Sequence, residues 1–342
     1  MTSRERVVRC LEFDRPDRVP RHLWTLPIVD WEHGAGTIEA FRSRWPDDIA
    51  HACVPVAVQE ELGDPYAVGT YVDAWGCLFE NLQAGVIGQV KQPILDDWSK
   101  LDSLEPPGAC LQIDSEAVNA VCCENDRFIL CDACPRPFER IQFLRGTENV
   151  FMDLATGSPE LQELIRRVHD HFCRELEVWA QTDVDGLGFM DDWGSQNNLL
   201  IHPDMWRQRF KPLYSDYVRI AHDAGKRAFM HSDGHILDIY EDLIEIGVDA
   251  INSQLFCMDI EEIGRRFKGQ ITFWGEIDRQ QILPHGTTDD VRAAVGRIVD
   301  HLFDPAGGVI AQFELGPGVH LDNADAVFRA WVDLTASAEV SA

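Results

Sequence analysis

"FMHSDGHILDIYEDLIEIGVDAINSQ", residues Phe229 to Gln254, holds one complete folding unit. An apolar run over Arg227–Met230 stops at a polar loop containing Gly234. A segment with helical spacing follows over Ile236–Ile246, and a second apolar run begins at Ala250. Short apolar runs bounded by polar, glycine-bearing loops read as strands, and a strand–helix–strand succession requires parallel pairing with a crossover.

The unit recurs along the chain. Strands are predicted at Val19–Trp24, His51–Ala57, Phe128–Asp132, Gly186–Met190, Arg227–Met230, Ala250–Asn252, Ile271–Trp274 and Gly308–Phe313. Helices are predicted at Ser3–Leu11, Pro159–Gln181, Pro203–Ala224, Ile236–Ile246, Ile260–Phe267, Thr288–Leu302 and Asn323–Ser337. Eight such units imply closure of an α/β chain into a (β/α)8 TIM barrel, and 342 residues suit one such domain over 1–342. One region fits less well. Val58–Pro107 is too long for a single loop, and "YVDAWGCLFENLQAGVIGQVKQP" (Tyr71–Pro93) reads as a strand excursion with glycines at its turns. Val58–Pro107 is predicted to be an insertion over the barrel mouth, with its last part, Pro93–Pro107, a surface connector rich in aspartate and proline.

Composition narrows the function. Hydrophobic residues at 45% and charged residues at 26% describe a globular chain with material for a core. The net charge of −28 repels nucleic-acid phosphates and anionic lipid, so neither is an expected partner, and it disfavours polyanionic substrates. Ten scattered cysteines form no small-domain disulfide framework and fit reduced thiols in the cytoplasm. The start "MTSRERVVRCLEFDRPDRVP" lacks the apolar core of a signal peptide, and no apolar stretch approaches the ~20 residues of a membrane span.

In a barrel of this kind, reactive groups belong where strands end on the C-terminal face. The predicted strands end in Asp191 and Asp192, in His231 and Asp233, in Glu276 and Asp278, and in Glu314, whereas the N-terminal ends show no comparable collection. Carboxylates and an imidazole from different strands can bind a divalent cation or share acid and base roles. Asp233 can equally cap the helix at Ile236, His231 can be a bonded core histidine, and Asp191 or Asp192 can cap a turn. Glu276 and Glu314 are harder to dismiss, because each directly follows an apolar run and needs a partner once desolvated. "CDAC" (Cys131–Cys134) has metal or redox spacing without a second pair, and no phosphate-binding glycine loop is present. Trp24, Trp193 and Trp274, near strand ends, and Gln254 are candidate substrate-binding residues, the tryptophans suiting a flat ring; as ordinary core or rim residues they are equally well explained.

Long ordered stretches resemble the uroporphyrinogen decarboxylase superfamily, closest to its corrinoid-dependent methyltransferase branch. They are "SRERVVRCLEFDRPDRVP", "VDAWGC", "GFMDDWGSQNNLLIHPDMWRQRFKPLY", "FMHSDGHILDIYEDLIEIGVDAINSQ", "FWGEIDRQQILPHGTTDDVRAAV" and "GGVIAQFELGPGVHLDNADAVF". The resemblance implies a (β/α)8 barrel and, in its zinc enzymes, a metal held by a His-x-Cys pair after the fifth strand and a Cys after the eighth. Here those positions carry His231, Asp233 and Glu314. Replacement of both thiolates by carboxylates leaves a harder Lewis acid, which argues against a thiol acceptor and for an oxygen substrate such as a methyl ether. The implied reaction passes a methyl group from a small methylated substrate to the cobalt of a corrinoid on a separate protein. Zn²⁺ would sit on His231, Asp233 and Glu314, a set that also suits Mn²⁺ or Fe²⁺, while Asp191, Asp192 or Glu276 orients the substrate or supplies a proton. Two alternatives stay open. Porphyrinogen decarboxylation is disfavoured because "RVPRHLWTLPIVDWEHG" holds tryptophans and acids where anion-binding groups would be wanted. A non-catalytic relative that binds a corrinoid or small ligand is the other.

Overall fold

The computed structural model describes residues 1–54 and 62–336. Its main sheet has eight parallel strands: β1 (Arg21–Thr25), β2 (Ile49–His51), β6 (Phe128–Leu130), β7 (Gly186–Met190), β8 (Arg227–Ser232), β9 (Ala250–Ser253), β10 (Thr272–Trp274) and β11 (Val309–Leu315). They follow the order β1-β11-β10-β9-β8-β7-β6-β2. The ends of that order meet through aspartates. Asp47 and Asp48, just before β2, accept from Leu23 N (2.7 Å) and Arg21 N (2.8 Å) of β1, and Asp48 N donates to Arg21 O. The predicted barrel is present, nearly closed.

Alternation along the strands sorts the side chains. Ile49, Phe128, Leu130, Phe229, Ala250, Trp274 and Ile310 pack together inside the barrel, joined by Val7, Cys10 and Leu11 of the first helix, Ser3–Leu11. The intervening residues Leu23, Ile129, Ala228, Met230, Ile251, Phe273, Ala311 and Phe313 pack into the surrounding helix layer. Because side chains alternate with period two, His231 shares the phase of Phe229, Asn252 that of Ala250, and Glu314 that of Ile310. The first helix therefore seals the bottom with apolar groups, and the polar residues collect at the top.

Several expectations are corrected. The second strand covers Ile49–His51 rather than His51–Ala57, whose last three residues lie outside the described ones. His231 and Glu314 lie within β8 and β11, not after them. The predicted helix Pro203–Ala224 breaks at Phe210 into Pro203–Arg209 and Lys211–Asp223, with Pro212 in the first turn of the second piece. The N-terminal strand ends do carry acids: Asp48, Asp185 and Asp249 precede β2, β7 and β9, and each accepts a backbone N–H from a neighbouring strand. The insertion holds a three-stranded antiparallel sheet, β3 (Gly69–Val72), β4 (Leu78–Asn81) and β5 (Gln89–Gln92), as its glycine-punctuated sequence suggests. Among the described residues no helix is long and apolar enough to cross a membrane, and every cysteine is unpaired, Cys131 and Cys134 included.

Candidate metal centre

Two glycines set the site. A Cβ on Gly194 would lie 2.2 Å from His235 N, and one on Gly234, at φ +77°, 2.2 Å from Gly194 O, so the loops after β7 and β8 can touch only through glycine. Their contact is locked by Gly194 N donating to Asp233 O and Asp233 N donating to Asp192 Oδ1 (3.1 Å). Asp192 and Asp233 are thereby held on either side of His231, whose Nε2 lies 3.6 Å and 3.4 Å from their Oδ1 atoms. One ligand atom from each of Asp192, His231 and Asp233 fits within a 4.8 Å cluster suited to a metal ion.

The opposite nitrogen of His231 is committed. Nδ1 meets Asn252 Oδ1 at 2.6 Å, and Asn252 Nδ2 donates to Trp274 O and to Gln312 Oε1. An amide fixed in this way accepts a hydrogen bond from Nδ1–H and turns Nε2 toward the carboxylates, the arrangement that orients a metal-binding histidine. Asp233 Oδ1 is buried and no hydrogen bond reaches it. Without a cation, burial pulls the His231 pKa down, but the neighbouring carboxylates of Asp192 and Asp233 outweigh it and lift it to about 9. Burial pushes Asp192 up, and the nearby His231 imidazolium brings it below the ordinary carboxylate value; Asp233 is held above it by burial. A divalent ion would take the place of the Nε2 proton, so these residues fit one.

Glu314 is placed differently from its assigned role. Its Oε2 accepts from Arg279 Nη1 (2.7 Å), Arg279 Nη2 bonds Asp233 Oδ2, and Arg279 Nε lies 3.2 Å from Glu276 Oε1. The guanidinium stands between three carboxylates, and Asp192 rather than Glu314 completes the cluster around His231. Glu276 is 3% exposed, and burial, opposed by Arg279 and reinforced by Asp233 and Glu314, pushes its pKa to about 8. Arg279 was passed over in the sequence, where it stands three residues after Glu276 on what reads as a loop.

Other candidates separate clearly. Asp191 is fully buried and accepts from Phe138 N, Glu139 N and Tyr214 OH, so it anchors the start of helix Pro137–Arg145. Trp193 is fully buried too, stacked on Phe138 at 4.0 Å with Nε1 donated to Tyr214 OH; it is core, not a pocket wall. Trp274 lies stacked on His22 and donates Nε1 to His22 Nδ1, forming the floor. Trp24 is half-buried, 5.2 Å from both His231 and Trp274 by ring centroids. Asp233 does not cap the following helix, whose N-cap Ile236 has no side-chain bond. Gln254 accepts from Gly234 N and, with Gln196, Phe256, Glu276, Ile277 and Arg279, lines a cavity of about 310 Å³.

The sequence pattern of uroporphyrinogen decarboxylase (URO-D) matches residues 65–336. A methyltransferase from Methanosarcina mazei is similar in structure, with a TM-score of 0.67 and 15% identity over 98% of this chain and 99% of that one. A 3-keto-D-glucoside 4-epimerase from E. coli has a TM-score of 0.38 and 15% identity over 72% of this chain and 95% of that one. Among curated proteins no sequence matches. With more than half its length matched by the family pattern, and with the barrel that pattern describes, the chain belongs to the uroporphyrinogen decarboxylase family.

Proposed function

We propose that the protein is a metal-dependent methyltransferase that moves a methyl group from a small O-methyl compound, an aryl methyl ether by preference, to the cobalt of a corrinoid carried by a separate protein. The observation that carries this reading is the convergence of Asp192, His231 and Asp233, with His231 Nδ1 already engaged and Asp233 Oδ1 buried without a hydrogen bond. These three residues would hold Zn²⁺, which suits imidazole and carboxylate ligands. Bound there, the ion supplies Lewis acidity toward an ether oxygen.

The chain's own groups do the rest. Asn252 keeps His231 oriented, and Trp24 offers an aromatic face beside it. Glu276, protonated below about pH 8, holds the proton that the departing oxygen needs. Arg279, anchored on Asp233 and Glu314, lends positive charge as that oxygen becomes negative. A reduced corrinoid on the partner protein would supply the electron pair that takes the methyl group; the demethylated alcohol or phenol departs with the Glu276 proton, and Glu276 regains one from solvent.

The test is metal content by elemental analysis on protein purified without chelators, followed by methyl transfer from a panel of methyl ethers to a reduced corrinoid protein. His231→Ala is expected to hold one zinc fewer per chain than the wild type and to transfer methyl at least about 10- to 100-fold more slowly, the range seen when metal sites are disturbed. Equal metal content in the two proteins, or no transfer from any methyl ether, would sink the reading.

A further inference from the structure

A second set of ligand-bearing side chains lies away from the barrel mouth and takes no part in the chemistry above. Cys110 sits in the short turn Ala109–Leu111 just after the connector, and His171 and Glu175 stand one turn apart on helix Pro159–Ala180. One ligand atom from each falls within a 4.8 Å cluster, and Cys110 Sγ is 3.2 Å from His171 Nε2. His171 is 1% exposed, with its ring edge against Trp75 of the insertion at 5.0 Å. Glu175 is half-buried and, among the described residues, makes no hydrogen bond or ion pair; Arg140 and Arg136 act on it only at longer range.

We propose that Cys110, His171 and Glu175 form a second divalent-metal site, one that takes Zn²⁺ and fastens the connector and insertion to the outer helix layer. A thiol beside a buried imidazole is by itself a satisfied pair, but that pair does not explain a carboxylate turned to the same point without a partner. Tetrahedral zinc with bonds of about 2.0–2.3 Å places its donor atoms about 3.3–3.6 Å apart, so the Cys110–His171 separation is already near that spacing. Glu175 closes the remainder by a side-chain adjustment. Three protein ligands leave the fourth position to water. Binding replaces the S–H bond of Cys110 by an S–Zn bond and releases one proton to solvent, while His171, neutral in its buried setting, supplies a lone pair. The connector turn Trp98–Ser103 and the turn Ala109–Leu111 just after it both pack on helix Pro159–Ala180, the first already tied by Arg167 Nη1 donating to Leu101 O, and an ion here ties the second.

The thiolate makes this site distinguishable from the mouth cluster, whose three residues Asp192, His231 and Asp233 offer only nitrogen and oxygen. Cobalt(II) added to metal-free protein is expected to raise a near-ultraviolet thiolate-to-cobalt band in the wild type and in Asp233→Asn, which impairs the mouth site. The band is expected to vanish in Cys110→Ser and on addition of excess zinc. No band in the wild type, or the same band in Cys110→Ser, overturns the proposal. A second measurement needs no variant. Zinc should slow iodoacetamide labelling of Cys110 by about tenfold or more, because the coordinated thiolate is withdrawn from reaction, and leave the exposed Cys123 unaffected. Equal labelling of Cys110 with and without zinc overturns it as well.

Discussion

The two ends of the barrel carry acids at similar places in the strand sequence, yet they are treated in opposite ways. At the bottom, Asp48 is fully buried and takes bonds from Ser3, Arg6, Arg18 and the Arg21 amide, all at 3.0 Å or less. Asp185 and Asp249 likewise accept the N–H of Ile129 and Ala228. At the top, one Arg279 is divided among Asp233, Glu276 and Glu314, and buried oxygens of Asp233 and Glu276 receive no hydrogen bond. The position of an acid on a strand therefore does not reveal its task. What separates scaffold from site is whether its oxygens are fully used, since a buried polar atom without a partner costs stability that only a function or a ligand recovers.

Removing a bottom acid tests this most severely. Asp48→Ala strips two arginines and a strand amide of their shared acceptor and is expected to lower unfolding stability by about 3–5 kcal/mol. Urea unfolding reads the loss, and the metal bound per folded chain should not change. If Asp48→Ala leaves stability intact while metal binding falls, the roles assigned to the two ends are reversed.

A subtler change at the top leaves all the charges in place. Asn252→Ala removes the group that holds His231 Nδ1, together with its bonds to Trp274 O and Gln312 Oε1, and outer partners of this kind are commonly worth about 10–100-fold in metal affinity. Competition with a chelating dye measures it. An unchanged affinity would mean that Asn252 serves the barrel core through Trp274 and Gln312 and does not orient the ligand.

Legibility in the sequence follows the same division. The repeating unit around Phe229–Gln254 is local, so its strands and the barrel could be read directly, as could the gathering of His231, Asp233 and Glu276 near one end. Asn252 was also within reach, because it shares the inward phase of Ala250. Arg279 was not: its partners Glu314 and Asp233 lie 35 and 46 residues away, and only closure of the barrel brings them together. The exclusion of Asp191 and Trp193 depends on helix Pro137–Arg145, which was missed because its prolines look like loop punctuation. Pro137 in fact occupies the first helical turn, where its missing N–H leaves no hydrogen bond unmade.

The interior histidines give the smallest expected effect. His22 lies deeper than His231, with Trp274 Nε1 donating to its Nδ1. Burial, followed by the positive charge of His51, Arg42 and Arg127, holds its pKa well below 6.5. Above pH 6.5 both the folded and the unfolded chain keep this ring neutral, and its contribution to stability is complete. As the pH falls below 6.5 the unfolded chain takes up a proton that the folded chain refuses. Stability should then decline by up to about 1.4 kcal/mol per pH unit from this one group. In His22→Gln, measured by urea unfolding at several pH values between 7 and 5, that part of the decline should be absent. An identical acid slope in wild type and variant would mean that His22 takes up its proton in the folded barrel as readily as in the unfolded chain. The aromatic floor would then be open to water, and the mouth would have no dry base on which to build its charge.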